Sequence, residues 1–251
     1  MWTERRLRSL VRTLSRAYRD PKHHNKIDPL DELIFIILSA KTSEANYLKT
    51  YETLKLRFPS WDEALESAPG RIEEAIARGG LARKKGGQIR RLLRAIVGIN
   101  GRADLSFLRN LSTDRAEVLL ASLPGVGMKS AKCVTMYSLG RPSFPVDTHV
   151  RRVLSRLGVA RISRLDDAAH ESLESIIPPD LRFRLHVNAL ALGRDVCTAR
   201  SPACPRCVAN ELCDYARSQG AALSEVPASS VVTKTIRIAL ASPGQEAVGS
   251  T

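Results

Sequence analysis

Three groups of residues carry the types and spacing that chemistry needs: a lysine behind a glycine turn, an aspartate behind a proline loop, and four closely spaced cysteines. The lysine is Lys129, in the run Leu123-Pro124-Gly125-Val126-Gly127-Met128-Lys129-Ser130-Ala131-Lys132. Two glycines this close end one helix and open the next, letting the backbone approach a partner and leaving amides free at a helix start. Such a turn suits a phosphate oxygen, since the amides of Gly125, Val126 and Gly127 and the helix dipole favour an anion without reading a base. Lys129 falls in the first turn of the second helix, where the dipole and partial burial disfavour an ammonium; a depressed pKa and a usable nucleophile are expected there. Lys129, Lys132 and Thr135 recur every three residues in an otherwise apolar helix and should form one stripe facing a ligand.

The aspartate is Asp147, eighteen residues past Lys129, at the end of Gly140-Arg141-Pro142-Ser143-Phe144-Pro145-Val146 and at the start of a helix that it should cap. The cysteines read Cys197-x6-Cys204-x2-Cys207-x5-Cys213. Only one CxxC unit occurs, unlike the paired knuckles of a zinc ribbon, and the spacing also differs from the common ferredoxin patterns; spacing alone leaves zinc and iron–sulfur open. In a reducing compartment such a group reads as a metal site and not as disulfides. Cys133, distant in sequence from the four, reads as a buried small hydrophobe.

The elements that must position these residues are helical. A 3.6-residue apolar period runs through Leu7–Tyr18, Leu30–Leu38, Tyr47–Phe58, Ile72–Ile76, Ile89–Val97, Arg115–Leu123, Ala131–Leu139, Val150–Leu157 and Leu185–Leu192. Asp31, Ser43, Thr113 and Asp147 read as helix starts, and Gly80, Gly140 and Gly158 as stops. An all-α protein is expected. Only Val231–Leu240 carries a weak strand pattern, inside a segment 218–251 rich in Ala, Ser, Gly, Pro and Val that reads as a flexible tail.

The chain has 39 Lys and Arg against 26 Asp and Glu, a net charge of +13, and 43% hydrophobic residues, which fits a folded protein with a polyanionic partner. The tail's charges cancel, so the whole excess sits in residues 1–217. From Arg83-Lys84-Lys85 through Arg90-Arg91 to Arg94 there are six positive residues in twelve and no acid, a solvated helix face or a phosphate-binding one. No apolar run approaches the ~20 residues of a membrane span, and the start lacks the apolar stretch of a signal peptide; no membrane partner and a cytoplasmic location, nucleoid-associated in a bacterium, are the expectations.

The glycine hairpin with its lysine, followed by the Gly/Pro loop with its aspartate, resembles the helix-hairpin-helix, Gly/Pro, Asp signature of the DNA glycosylase superfamily, and LPGVGMKSAK…VDTHVRRV is most similar to endonuclease III. The resemblance covers roughly residues 20–217. It implies a two-lobed helical fold with a C-terminal 4Fe–4S loop held by Cys197, Cys204, Cys207 and Cys213, one lobe near 21–142 and the other combining 1–20 with 143–217. It puts Lys129 in the place of the catalytic lysine and Asp147 in that of the catalytic aspartate. Further, it implies monomeric binding to duplex DNA containing damaged bases or abasic sites, with oxidised pyrimidines as the target class. Leu81, after Gly79-Gly80, matches a leucine that enters the base stack when the target nucleotide swings out. Lys41 departs from the family, which usually has a glutamine there to fill the vacated space, and Lys132 stands where asparagine is common. Lys41, Leu81, Arg90, Arg91 and Lys132, with the hairpin amides, are the expected DNA contacts. A mismatch glycosylase of the same fold would usually lack the lysine at 129, a non-enzymatic helix-hairpin-helix module needs neither Asp147 nor the cysteines, and a zinc protein would be colourless where an iron–sulfur protein is brown.

Overall fold

The computed structural model describes residues 2–22 and 24–220, and their regular structure is entirely helical. The tail beyond residue 220, including the weak strand pattern, lies outside the described residues. Two apolar cores organise the chain. The first is built by α2 (Pro29–Ser39), α3 (Glu44–Arg57), α4 (Trp61–Glu66), α5 (Arg71–Ala75), α6 (Ala82–Asn100), α7 (Thr113–Ser122) and one side of α8 (Met128–Tyr137), and it is centred on Leu33, Ile34, Leu54, Ile89, Leu93 and Leu120. The second unites α1 (Glu4–Tyr18) with α9 (Thr148–Leu157), α10 (Asp167–Ile176), α11 (Pro179–Asp195) and the cysteine segment ending in α12 (Asp214–Ser218). There Leu7, Leu10 and Leu14 of α1 share a core with Val150, Leu154 and Leu185, which returns the N-terminal helix to the C-terminal half.

Several helix ends differ from the expected ones for identifiable reasons. Asp28, not Asp31, caps α2: its carboxylate accepts from the amides of Leu30 and Asp31, and Pro29 fills the first helical position, where no N–H is needed. Asp31 turns outward to Trp61 Nε1 at 2.7 Å and to Lys55 at 3.3 Å. Ser112, not Thr113, caps α7. α6 begins at Ala82, seven residues before the apolar period becomes regular at Ile89. α4 and α10 are amphipathic pieces too short or too polar for the period to show, and each is opened by a capping Ser60 or Asp166. Ser43 precedes α3 without a side-chain cap bond, whereas Asp147 caps α9 and Gly158 ends it in the left-handed region. Among the described residues no helix is long and apolar enough to cross a membrane.

The candidate active site and its cysteine loop

The two cores meet along a cleft of about 560 Å³, with Glu32, Lys129 and Cys133 on the first lobe's wall and Asp147, His149 and Arg194 on the second's. α8 carries the lysine. Its N-cap is Gly127, which has no side chain to satisfy the first-turn amides, so the hairpin leaves donors open for an anion. Gly125 holds φ +75 at the apex, and its carbonyl accepts from Gln88 Nε2 of α6 at 2.9 Å; a Cβ there would lie 2.7 Å from that same nitrogen. Val126 turns its side chain into the first core, and its amide already donates to the Leu123 carbonyl at 3.1 Å, so of the three hairpin amides expected to meet a phosphate only those of Gly125 and Gly127 are left for one.

Asp147 stands at the end of the proline loop as the N-cap of α9, and its Oδ1 accepts from the amides of His149 and Val150, both at 2.8 Å. Both cap bonds fall on one oxygen. The other takes no part in the cap, and Asp147 lines the cleft. The loop is fixed from behind: the Phe144 amide donates to Glu174 Oε1 at 2.7 Å, and Ser143 and Thr135 bond each other and Glu117.

The expectation of a depressed Lys129 pKa is corrected. Its ammonium is held above the ordinary lysine value, first by the neighbouring Cys133 sulfur and then by Asp147 and Glu32, against the opposing effect of burial. Burial also pushes the Cys133 thiol up to about 11, so this sulfur is charged only in alkaline solution; Asp147 and Glu32 are the neighbouring acids at neutral pH. Cys133 is buried as expected, but it lines the cleft one turn beyond Lys129 and is not merely core filling.

The polar stripe is corrected as well. Successive steps of three residues on a helix rotate by about 60°, so Lys129, Lys132 and Thr135 span two faces and not one. Lys132 is 6% exposed, and its ammonium lies 2.7 Å from Glu117 and 2.9 Å from Glu174. It ties α7, α8 and α10 together behind the cleft and is not placed to meet DNA. The basic run divides in the same way. Arg90 donates to the Leu65, Ser67 and Ala68 carbonyls and so caps the end of α4, while Arg91 and Arg94 are exposed. Lys85 is buried, with its ammonium at 2.7 Å from both the Leu38 carbonyl and Thr42 Oγ1.

The four cysteines line one small cavity together with Arg156 and Tyr215, and none of them forms a disulfide. Among the described residues, no three His, Cys, Asp or Glu side chains converge tightly enough to grip a single ion. The donor set fits a thiolate-held cluster. Four sulfurs surround one space, Arg156 donates to Cys197 Sγ at 3.3 Å, and burial raises the Cys207 thiol to about 11 with the other three cysteines adding to the rise, a cost that a multiply charged metal centre offsets. Arg156 also donates to the Thr198 and Ala199 carbonyls, and Arg152 to that of Cys197, so α9 is the frame on which the loop hangs. Arg200 and Arg206 are exposed on it.

A family model described as the HhH-GPD superfamily of base excision DNA repair proteins matches residues 34–179, which include the hairpin, Lys129 and Asp147. The chain belongs to the HhH-GPD superfamily. It is 30% identical over 202 residues to endonuclease III of Thermotoga maritima, covering 80% of this chain and 90% of that one. It is 38% identical over 157 residues to an Arabidopsis thaliana protein named as a DNA glycosylase, covering 62% of this chain and 54% of the relative, so it spans about half of that relative's length. Among solved structures, a trapped endonuclease III–DNA covalent intermediate superposes with a TM-score of 0.73 at 28% identity, covering 88% of this chain and all of that one. The expected family and all-helical fold hold, and with them the enzyme class, DNA glycosylase.

Within this HhH-GPD fold, the two residues flagged for insertion into DNA occupy adjacent loops. Lys41, after α2, has φ +53, and Leu81, before α6, has φ +55 and is 52% exposed. Neither is a glycine, so both carry backbone strain that the surroundings must hold. Thr42 Oγ1 donates to the Gly79 carbonyl at 2.9 Å, and the buried Lys85 ammonium reaches that carbonyl at 3.3 Å as well as Thr42, clamping one loop to the other. Composition alone did not mark Lys85, Glu32, Glu117 or Glu174 as parts of the site's frame. A weak signal existed for Glu32: it is an acid in the first turn of a strongly apolar helix.

Proposed function

We propose that the protein is a bifunctional base-excision enzyme that removes damaged bases, chiefly oxidised pyrimidines, from duplex DNA and then cleaves the resulting abasic site by β-elimination. The observation that carries this reading is that Lys129, in the first turn after the hairpin, and Asp147 line opposite walls of one cleft. Once deprotonated, Lys129 Nζ forms a bond to the sugar C1′ while the glycosidic bond breaks, and the base leaves with the bonding electrons and gains a proton. Asp147 stabilises the positive charge that develops on the sugar. Ring opening gives an imine on Lys129, loss of the C2′ proton follows, and the C3′–O bond breaks with the phosphate as leaving group. Duplex DNA as partner is supported by the likeness to DNA-bound endonuclease III and by the net charge of +13. In this reading a single chain suffices, since one protomer supplies both walls of the cleft.

Cys197, Cys204, Cys207 and Cys213 would hold a 4Fe–4S cluster, whose contribution is to order the loop carrying Arg200 and Arg206. The decisive experiment incubates the protein with duplexes carrying different base lesions or a pre-made abasic site in the presence of borohydride. Covalent trapping at Lys129, located by peptide mass spectrometry, is the expected result, and the duplexes that trap define the lesion range. Base release without any trapped adduct would replace this reading with that of a monofunctional glycosylase.

A further inference from the structure

Glu32 is a buried carboxylate whose hydrogen bonds all come from neutral donors. It lies on α2, where Leu33, Ile34, Phe35, Ile37 and Leu38 are all buried, and it is itself fully buried at 0% exposure. A buried carboxylate without a contacting counter-ion is costly to desolvate. Each Glu32 oxygen takes one neutral donor, Asn25 Nδ2 at 2.6 Å and the Lys26 amide at 2.7 Å, and no ion pair reaches it among the described residues. Yet Glu32 lines the same cleft as Lys129.

The reaction proposed above needs an acceptor for the Lys129 proton, because that amine is held above the ordinary lysine value and is an ammonium at neutral pH. Asp147 is poorly suited to the task, since one of its oxygens is committed to the α9 cap and its charge is needed opposite the developing cation. Building on that reading, we propose that Glu32 receives the proton of Lys129 before Nζ attacks C1′. The step balances: the ammonium becomes an amine and the carboxylate a carboxylic acid, with no other reactant. Burial holds the Glu32 carboxyl above the usual carboxylate range, which brings it closer to neutral pH and makes it a better base than an exposed glutamate.

Other titratable groups share these surroundings. Lys129, Cys133 and Tyr137 face it from α8, Tyr47 and Tyr51 from α3, and Lys26 from its own loop, with Asp147, His149 and Arg194 across the cleft. Burial raises Cys133, Tyr47, Tyr51 and Tyr137 into the alkaline range, so none of these is an anion at neutral pH.

The test is the pH profile of single-turnover strand nicking at a pre-made abasic site by the full-length protein. In the parent, the rate rises with pH as Glu32 ionises and then levels. Glu32→Gln should slow nicking by about 100-fold at pH 7, as for a lost general base, while binding to a non-cleavable abasic analogue stays within about threefold. The defect should shrink as pH rises toward the lysine's own ionisation, because hydroxide replaces the missing acceptor. Glu32→Asp keeps a carboxylate with shorter reach; it should retain the levelling profile at an intermediate rate, and it serves where the glutamine variant folds poorly. A Glu32→Gln rate equal to the parent's, or lower by one factor at every pH, overturns the proposal. Borohydride trapping of the parent separates the outcomes: if the parent does not trap at Lys129, the functional reading has failed, and if it traps while Glu32→Gln keeps the parent profile, only the role of Glu32 has.

Discussion

Lys129 and Lys132 are the same residue type three positions apart on one short helix, yet they sit in opposite kinds of surroundings. Lys132 is buried with two carboxylates in direct contact, whereas Lys129 faces a cleft with Glu32 and Asp147 near it and no hydrogen-bonded carboxylate of its own. A buried charge whose partners touch it is part of the frame. A half-buried charge that faces open space can gain or lose a proton when a substrate arrives. The contrast shows why residue type and even spacing did not separate the two lysines.

Breaking the Lys129 side has the largest expected effect. Lys129→Gln keeps length and polarity but removes the amine; β-elimination should fall by several orders of magnitude and the trapped adduct should vanish, while binding to abasic-site DNA survives. Trapping and nicking at the parent rate would move the nucleophile elsewhere.

Breaking the Lys132 side should instead cost stability. Lys132→Met leaves Glu117 buried beside Thr135 and Ser143 without its cation, a loss of about 3–5 kcal/mol measured by denaturant unfolding. Burial pulls the Lys132 ammonium down, but Glu117 and Glu174 more than offset this, so its pKa is raised in the folded state. The group therefore contributes stability below the lysine pKa of the unfolded chain, and that contribution is lost as pH rises through the higher folded value. The parent should lose stability in strongly alkaline solution, and the methionine variant should lack that component of the loss.

Asp147→Asn sharpens the comparison from across the cleft. The amide oxygen can still accept the two α9 cap bonds, so folding should hold while base release slows by about 100-fold, as when one group stabilising a transition-state charge is lost. Nicking of a pre-made abasic site should suffer less. The smallest effect separates Arg91 from Arg90: Arg91→Ala should reduce the salt dependence of DNA binding by about one phosphate contact, whereas Arg90→Ala should mainly loosen the end of α4 and lower the melting temperature.

The helices, the hairpin and the Asp147 cap were legible because each depends on local pattern: apolar period, glycine pairing, and an aspartate before an apolar run; Lys129 and Asp147 became catalytic candidates through the resemblance to the glycosylase signature. The Asp28 cap was missed because Asp31 offers the same local signal, and Pro29 at the first helical position is what decides between them. Lys132 and Arg90 were misread because their partners lie 15 to 42 and 22 to 25 residues away, separations at which no local period speaks. Glu32 went unremarked for a related reason: an acid in a helix's first turn is an ordinary favourable placement, and only the packing of α2 shows this one buried at a cleft.

The Lys85 clamp bears on how freely the two loop tips can change over evolutionary time. Lys41 and Leu81 present their side chains outward from strained backbones, while the atoms that hold those backbones are the Leu38 and Gly79 carbonyls, Thr42 Oγ1 and the Lys85 ammonium, all behind the tips. The tips can therefore be exchanged without disturbing what holds them, and a departure such as lysine for glutamine at position 41 needs no compensating change in the scaffold. Because both loops are fixed by folding itself, ordering entropy of about 1–2 kcal/mol for each residue that would otherwise be mobile is spent before any partner binds there.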